Sequence, residues 1–349
     1  MSRLDWIVLR RVAGRVALTL GGVFGLFCLV ESLDSWRFNA LSQIGGPQLG
    51  LLAIVSNAGR AIIGALPVVV LIGTIIGVLD LQARRELTII KATGISIWRV
   101  MRAPLAGAAI LGLLTAVFGD TLAIDAARTL PILRGNTDTL WLEQHGRDGD
   151  YILRADHPHA GGKVLDGVAI FFVSADNRDR IEAKSATLER GQWVLTDAVH
   201  YRADQPTEHY DTLAVPTLTT PGDMRIRLTS ARDLTFAELY SLVAGRVADP
   251  TLRAAALTSF LRLLALPALL AGSVLIAFAF TSGYRRTNKY GGAVLYGIVL
   301  GFVVYVVTEL ANRSGFAGVL DPTFAAAGPA FVAIVIGLTV LLYKEDGRA

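Results

Sequence analysis

Six runs of the chain are apolar all the way round. Residues 12–30, 61–79, 103–119, 254–283, 291–307 and 324–343 show neither the two-residue alternation of a half-buried strand nor the single stripe of a soluble amphipathic helix. Each approaches the roughly 20 residues that a helix needs to cross a hydrocarbon core. The pattern therefore predicts six transmembrane helices, the third continuing towards Ile124. The first run carries Arg15 near its start and the fourth carries Arg262 near its beginning, while the second and third hold no charge.

Between the third and fourth runs the pattern changes. "VAIFFVSAD" (168–176) is a short β-rich run closed by turn residues, and "YDTLAVPTLTT" (210–220) is another candidate strand. Residues 181–204 read as two strands about a turn at Arg190-Gly191, with Trp193, Leu195 and Val199 placed to face one way. No helical period competes across this region, although "FAELYSLVAG" (236–245) fits a helix leading back to the membrane. The expected organisation is a membrane part at 1–124, an antiparallel all-β sandwich or open roll at 125–250, and a second membrane part at 251–349. Three runs before the insert and three after it hint at a 3 + 3 arrangement.

Composition agrees with a membrane protein. The chain has 349 residues, 53% of them hydrophobic, against about 45–50% in soluble domains, and its mean hydropathy is +0.51. Cys28 is the single cysteine, which excludes a disulfide framework or a thiolate metal site. The basic start "MSRLDWIVLRR" leads into an apolar run too long for a signal peptide, with no convincing small-residue cleavage site, so an uncleaved span is expected. Lys and Arg are unevenly shared between the two sides. With the N-terminus inside, residues 1–11, 80–102, 284–290 and the C-terminal tail carry 13, against 3 in the short outer segments 31–60 and 308–323. Such a bias places both termini in the cytoplasm and the insert outside. The insert has 14 Lys/Arg and 19 Asp/Glu, a net charge of −5.

The spans offer little chemistry. Gly21/Gly25, Gly73/Gly77 and Gly297/Gly301 are four apart and give flat faces for close helix packing, although a chain with 35 glycines produces some such pairs by chance. Pro67 and Pro267 lie inside spans and either kink their helices or are tolerated there. Arg15, Glu31, Asp120, Arg262 and Glu309 lie near span ends, where snorkelling accounts for them; this speaks against a transporter driven through a midplane carboxylate. No GxxxxGK[ST], HExxH or GxSxG occurs, so the chain does not itself cradle ATP through a P-loop, and no enzyme motif emerges. All five histidines, His145, His157, His159, His200 and His209, lie in the insert. His157 and His159 have the spacing of a metal pair, but Asp156 is their sole close acid, and a solvated loop is the simpler account. "NRS" at 312–314 reads as an accidental sequon.

One stretch stands apart. "ARRELTIIKATGISIWRVMR" (83–102) places Arg84, Arg85, Lys91, Arg99 and Arg102 with the lone acid Glu86 among aliphatic residues, on the cytoplasmic side. As a helix it brings Leu87, Ile90 and Lys91 together, and Gly94 breaks it before the third span. Physical reasoning leaves two readings open: an interfacial helix on anionic lipid, or a coupling helix docked on a cytoplasmic partner. An isolated glutamate has no use against anionic lipid and does have one in a protein socket.

"LQARRELTIIKATGISIWRV" resembles the signature loop of the LptF/LptG lipopolysaccharide-export permeases (YjgP/YjgQ-type). In that family an arginine and glutamate precede an aliphatic run, then a small residue and glycine, then further apolar and basic residues. The resemblance covers nearly the whole chain, including Pro67, six spans, the external domain between spans three and four, and "GIVLGFVVYVV" (297–307). "WLEQHGRDGDYILRA" (141–155) is similar to a stretch typical of the LptG side of the family rather than the LptF side.

The resemblance implies a permease subunit without catalytic residues or a cofactor of its own, in the inner membrane of a Gram-negative cell. An LptF-type permease would pair with it, an LptB ATPase dimer would bind beneath and supply ATP and Mg, and LptC would join. A periplasmic jellyroll would hand lipopolysaccharide to a periplasmic bridge protein. Arg84, Arg85, Glu86, Leu87 and Gly94 would form the ATPase-coupling helix (about 82–102), Glu86 matching the family glutamate that contacts the ATPase. Gly21, Gly25, Gly297, Gly301, Phe302 and Tyr305 would fall at lateral gates, and Glu31, Asp34 and Arg37 at the outer end of span one. There the family pattern has basic residues that meet lipid phosphates. Arg37 matches, but Glu31 stands in place of an expected lysine, which puts headgroup recognition by this segment in doubt unless Arg60 compensates. The acidic insert would take the lipid's acyl tails rather than its phosphates.

Other classes remain. A membrane-anchored scaffold or binding domain would not need the charged loop at 83–102. An ABC permease for another lipid or a lipoprotein usually has one span before its external domain and three after it. A membrane-embedded enzyme finds no polar constellation in the spans.

Overall fold

The computed structural model describes residues 3–33, 46–128, 139–146, 149–172, 179–202, 205–245, 247–281 and 290–345. In chain order, α1 (Arg3–Ser32), α2 (Pro47–Ala83), α3 (Glu86–Ala92), α4 (Ile97–Leu114) and α5 (Asp120–Arg128) come first. They are followed by β1 (Leu140–Gly146), β2 (Gly149–Ala155), β3 (His157–His159), β4 (Val164–Phe172), β5 (Arg180–Glu189), β6 (Gln192–Tyr201) and β7 (Glu208–Pro216). The chain ends with α6 (Pro221–Thr229), α7 (Phe236–Ala244), α8 (Pro250–Thr281), α9 (Tyr290–Phe316) and α10 (Pro322–Glu345). Two compact units result: Met1–Leu133 with Leu257–Ala349, and Arg134–Ala256.

Six helical stretches among the described residues are long and apolar enough to cross a membrane: Arg3–Ser32, Pro47–Ala83, Ile97–Ala126, Pro250–Thr281, Ile298–Phe316 and Pro322–Tyr343. The second begins well before the uncharged run expected at residue 61. Gly46, at φ 79°, turns the chain, and Pro47 starts the helix where its missing N–H costs nothing. Gly50, Ala53 and Asn57 then supply a buried stripe at helical spacing. The third is continuous from α4 to α5 through a single π-turn at Thr115–Gly119.

Small residues set the packing of the helical unit. A methyl group at Gly73 would lie 2.6 Å from the Val16 Cα, and one at Gly77 3.1 Å from the Val12 Cα, so α1 and α2 meet backbone to backbone. Gly301 sets α9 against Val68 of α2, and Gly112 sets α4 on Pro267 of α8, where an added methyl would be 2.6 Å from the Pro267 Cα. Leu71, Ile75 and Leu79 of α2, Leu269 and Ile276 of α8, and Ala330 and Ala333 of α10 form one buried cluster. Accordingly 61% and 67% of the spanning windows of α2 and α8 are buried, against 6% and 17% for α1 and α9.

The other unit is built on one antiparallel sheet of seven strands in the order β1-β2-β4-β5-β6-β7, with the short β3 paired to β4. The hairpin expected at Arg190-Gly191 is present. Both residues have positive φ, 46° and 81°, as a two-residue primed turn requires. No Greek-key crossing joins the described strands. One column across the sheet, however, interrupts the pairing. Gly167, Lys184, Asp197 and Asp211 occupy the single gap in each of the ladders β4–β5, β5–β6 and β6–β7. Gly167 and Asp197 have φ of 61° and 54° there. The in-out alternation slips by one at this column. Leu165, Ala186, Trp193 and Leu195 on one side, and Val168, Ile170, Ile181, Ala183 and Ala198 on the other, share a single core.

That slip corrects one expectation: Trp193 and Leu195 are buried, but Ala198 rather than Val199 continues their face. The run expected at 168–176 is a strand through Phe172, and its remainder lies outside the described residues. β1 and β2 were not foreseen as strands, nor α6 as a helix, and His157 and His159, expected in a solvated loop, lie on the short strand β3 paired to β4. Thr220-Pro221-Gly222-Asp223 opens α6 with a reciprocal capping box. α7 occupies the helix expected over 236–245.

Candidate functional site

The loop expected to couple the protein to a partner folds as two pieces. Arg85 sits in the left-handed region at φ 61° and ends α2, and α3 runs from Glu86 to Ala92. Gly94, at φ 79°, then breaks the chain where the sequence placed the break, and α4 resumes at Ile97. Leu87 is only 3% exposed and anchors α3 on the helical unit, whereas Ile89 is 63% exposed. Arg85, Thr88 and Ala92 are exposed as well. The face that α3 offers outward is therefore mixed, with an apolar centre at Ile89 and a cationic edge. Leu87 supports it from behind.

Glu86 does not face outward alone. Arg11 of α1 donates from Nη2 to Glu86 Oε1 at 3.2 Å, and its Nη1 lies 3.6 Å from Asp80 Oδ2. Arg15 Nη2 donates to the other Asp80 oxygen at 3.0 Å, and Arg84 Nε lies 3.5 Å from it. Asp80 is thus the hub for three arginines where α1, α2 and α3 converge. A little further along, Arg102 of α4 grips Asp5 of α1 with two bonds, at 3.1 and 2.6 Å. Asp5 is 2% exposed, and a carboxylate so deeply buried is held there by a charge-assisted fork. Gln82 donates to the Thr281 carbonyl, fastening the end of α2 to the end of α8.

Sequence reasoning missed Arg11, Asp80, Asp5 and Arg102 in this role. Arg15 was assigned to snorkelling, but it is paired with Asp80. The signals were present: Asp80 is the first charge after the uncharged second run, and Asp5 is the one acid in a basic N-terminal segment. What could not be read was that they meet, 65 to 97 residues apart along the chain.

At the opposite end of α1, Asn57 of α2 donates from Nδ2 to Glu31 Oε2 at 3.3 Å. Glu31 therefore joins α1 to α2. Asp34 and Arg37 lie outside the described residues. Gly21 and Gly25 meet nothing within 4 Å, so the glycine face of α1 is open along this half. Gly301 is packed on α2, and Gly297 lies one turn earlier in α9. Phe302 is 65% exposed and Tyr305 is also exposed. A cleft between α2, α8, α9 and α10 is lined by Ile63, Pro67, Arg262, Leu266, Tyr305 and Glu309 among others.

In the β-unit no group of three His, Cys, Asp or Glu among the described residues is placed to hold a metal ion. His159 Nε2 lies 3.0 Å from Asp166, and Asp156 is held by Arg154 at 2.8 Å. Around β5–β7, Asp179, His200, Arg202, Glu208 and Tyr210 form a chain of polar contacts. There the Tyr210 hydroxyl, donating to Glu208, holds that carboxyl below the usual glutamate range and has its own pKa pushed up in return. The core is filled by Trp193, Tyr151, Leu153, Leu165 and their neighbours. Trp141 on β1 is exposed and stacks on Phe171 of β4, ring centres 6.2 Å apart.

Two comparisons bear on this arrangement. The chain matches the family model described as lipopolysaccharide export system permease LptF/LptG over residues 6–343. It is also similar to the lipopolysaccharide export system permease protein LptG of Haemophilus influenzae, with 22% identity over 374 aligned positions, covering 99% of this chain and all of that protein.

Proposed function

The chain belongs to the LptF/LptG family of lipopolysaccharide export permeases and is a multi-pass membrane protein, and from that premise we propose that it is the LptG-type subunit of an ATP-driven extraction machine. In this reading it lies in the inner membrane with both termini cytoplasmic. It pairs with an LptF-type permease and LptC above an LptB ATPase dimer, which binds the ATP and Mg. The β-unit is periplasmic, a rolled, jellyroll-like sheet, and passes lipopolysaccharide to a bridge protein. Residues 1–124 and 251–349 form the membrane halves, and 125–250 the periplasmic domain. The alternatives are a permease for another lipid or lipoprotein, or a membrane-anchored scaffold.

The observation that carries the proposal is α3. It is a short, isolated helix pinned from behind by Leu87 and the Asp80 cluster. It turns Arg85, Thr88, Ile89 and Ala92 outward. A helix that only lay on anionic lipid would not need its first turn locked to α1 by an ion pair, Glu86 to Arg11. Arg84, Arg85, Glu86, Leu87 and Gly94 then divide their work: Arg85 reaches the partner, Leu87, Arg84 and Glu86 hold the helix in place, and Gly94 frees it from α4. The open face of α1 with Gly21 and Gly25 and the exposed side of α9 with Phe302 and Tyr305 form the walls through which lipid enters, and Gly297 and Gly301 are the small residues of the second wall. Glu31 at the far end of α1, with Asp34 and Arg37 after it in the sequence, is the segment proposed to meet the headgroup. Because the β-core is filled by its own side chains, acyl chains pass along its exposed aromatic edge at Trp141 and Phe171, or enter by displacing core residues.

The test uses Ile89→Asp in the full chain, coexpressed with its LptF-type, LptB and LptC partners. An apolar contact at the centre of an interface is worth on the order of 2 kcal/mol, so copurified ATPase should fall by more than tenfold while membrane insertion persists. ATPase retained at the wild-type level, with lipopolysaccharide-stimulated hydrolysis unchanged, rules out α3 as the docking helix.

A further inference from the structure

Which part of the membrane unit moves when α3 is displaced is set by where α3 is tied. Apart from Arg84–Asp80, the ionic ties described around it lead to the first half of α1. Upstream, Asp80 receives Arg11 and Arg15; at the first residue of α3, Glu86 receives Arg11; downstream, Arg102 of α4 grips Asp5. Between these ties, Val12 and Val16 of α1 rest on the Gly77 and Gly73 backbone of α2, with no side chain to slide on. Past Val16 no residue of α1 is fully buried, although Leu20, Val23, Phe24, Phe27 and Cys28 keep a half-buried face. Gly21, Gly22 and Gly25 meet nothing within 4 Å, and the Glu31–Asn57 bond is the polar tie described at the far end.

We infer that Arg11 is a positioning residue that couples α3 to α1, so that a displacement of the docking helix is carried by an ion-pair fork into the helix whose outer half is nowhere fully buried. The inference rests on the permease reading proposed above. Arg11 suits the role because its planar fork spans two carboxylates on two different helices, Asp80 at 3.6 Å and Glu86 at 3.2 Å; a lysine offers a single point charge and cannot bridge them with the same geometry. All three side chains are partly screened from water, at 33%, 17% and 32% exposure, so the pairing is stronger than that of a freely solvated surface pair. Glu86 then has a role distinct from docking: it is the handle by which α3 holds α1. Separation of roles follows, since loss of Arg11 leaves the outward face of α3 intact.

Arg11→Gln and Arg11→Lys, in the full assembly reconstituted in liposomes, test it with three readouts: bound ATPase, basal ATP hydrolysis, and lipopolysaccharide extracted per ATP hydrolysed. For Arg11→Gln the expected result is ATPase binding and basal hydrolysis within twofold of wild type, with extraction per ATP lowered at least fivefold. Arg11→Lys should recover part of that loss. An unchanged extraction ratio overturns the inference, and so does release of the ATPase, which would return Glu86 and Arg11 to docking. The chain alone, in nanodiscs, gives an answer independent of transport. Spin labels on α1 at Leu18 and on α3 at Ile89, with Cys28→Ala as background, should show a distance distribution that broadens in Arg11→Gln. Equal widths overturn the coupling directly. If wild-type hydrolysis ignores lipopolysaccharide while the labels still broaden, the permease reading fails and the α1–α3 tie stands.

Discussion

Gly73 and Gly21 look alike in the sequence: each begins a pair of glycines four apart in an apolar run. In the structure they differ completely. Gly73 lies where an added methyl would be 2.6 Å from the Val16 Cα, a backbone atom that cannot step aside, whereas Gly21 meets nothing within 4 Å. Gly73→Ala should therefore push α1 off α2 at a cost of about 1–3 kcal/mol, the usual range for overpacking. Gly21→Ala should leave the stability of the isolated chain within roughly 0.5 kcal/mol, as surface changes do. Thermal unfolding of the two variants in the same detergent compares them directly, and equal midpoints would refute the α1–α2 contact. The sequence could say that a flat face was available. Which face is used depends on the partner helix, and a single sequence does not carry that. The same holds for charge: Glu86 was legible as an acid out of place, but its partner Arg11, 75 residues away, was not.

At the scale of elements, the six spans were legible because hydropathy is a local property and a bilayer demands it over a fixed length. The break at Gly94 and the hairpin at Arg190-Gly191 were legible because turn chemistry is local too. The slip of the buried face was not, since it falls at a gap shared by four strands at Gly167, Lys184, Asp197 and Asp211. No single strand announces it, and strict alternation from Trp193 misassigns Val199. This column makes opposite predictions for two of its members. Gly167 has φ 61°, and an added methyl would lie 2.5 Å from an oxygen of the Asp156 carboxylate, so Gly167→Ala should destabilise the β-unit by about 1–3 kcal/mol. Asp197 holds φ 54° with a side chain that disfavours it and is exposed, so Asp197→Gly should be neutral or stabilising by up to about 1 kcal/mol, relief of backbone strain being offset by the looser unfolded chain. Urea titration followed by fluorescence of the core Trp193 reads both. Two destabilising changes would show that the positive φ at Asp197 carries no strain.

At the scale of the whole molecule, the six spans are all apolar enough to cross a membrane and are unequal in burial. α2 and α8 are enclosed, while α1 and α9 keep most of their apolar surface uncovered. Hydropathy follows this division, 2.7 and 2.4 for α2 and α8 against 1.8 and 1.3 for α1 and α9, whereas small-residue contacts such as Gly301 on Val68 tie even an uncovered helix to an enclosed one. The two uncovered helices are also the two that the family resemblance assigns to the gates. That coincidence gives the proposed permease a physical test. A photo-crosslinking residue at Phe302, 65% exposed on α9, should capture lipopolysaccharide or the partner permease in the full assembly, and capture of lipid should fall when ATP is hydrolysed. The same probe at Leu71, fully buried in α2, should capture neither. If Phe302 yields only bulk phospholipid, with or without ATP, then its side of α9 faces the bilayer, and the path of the substrate must lie along α1 instead.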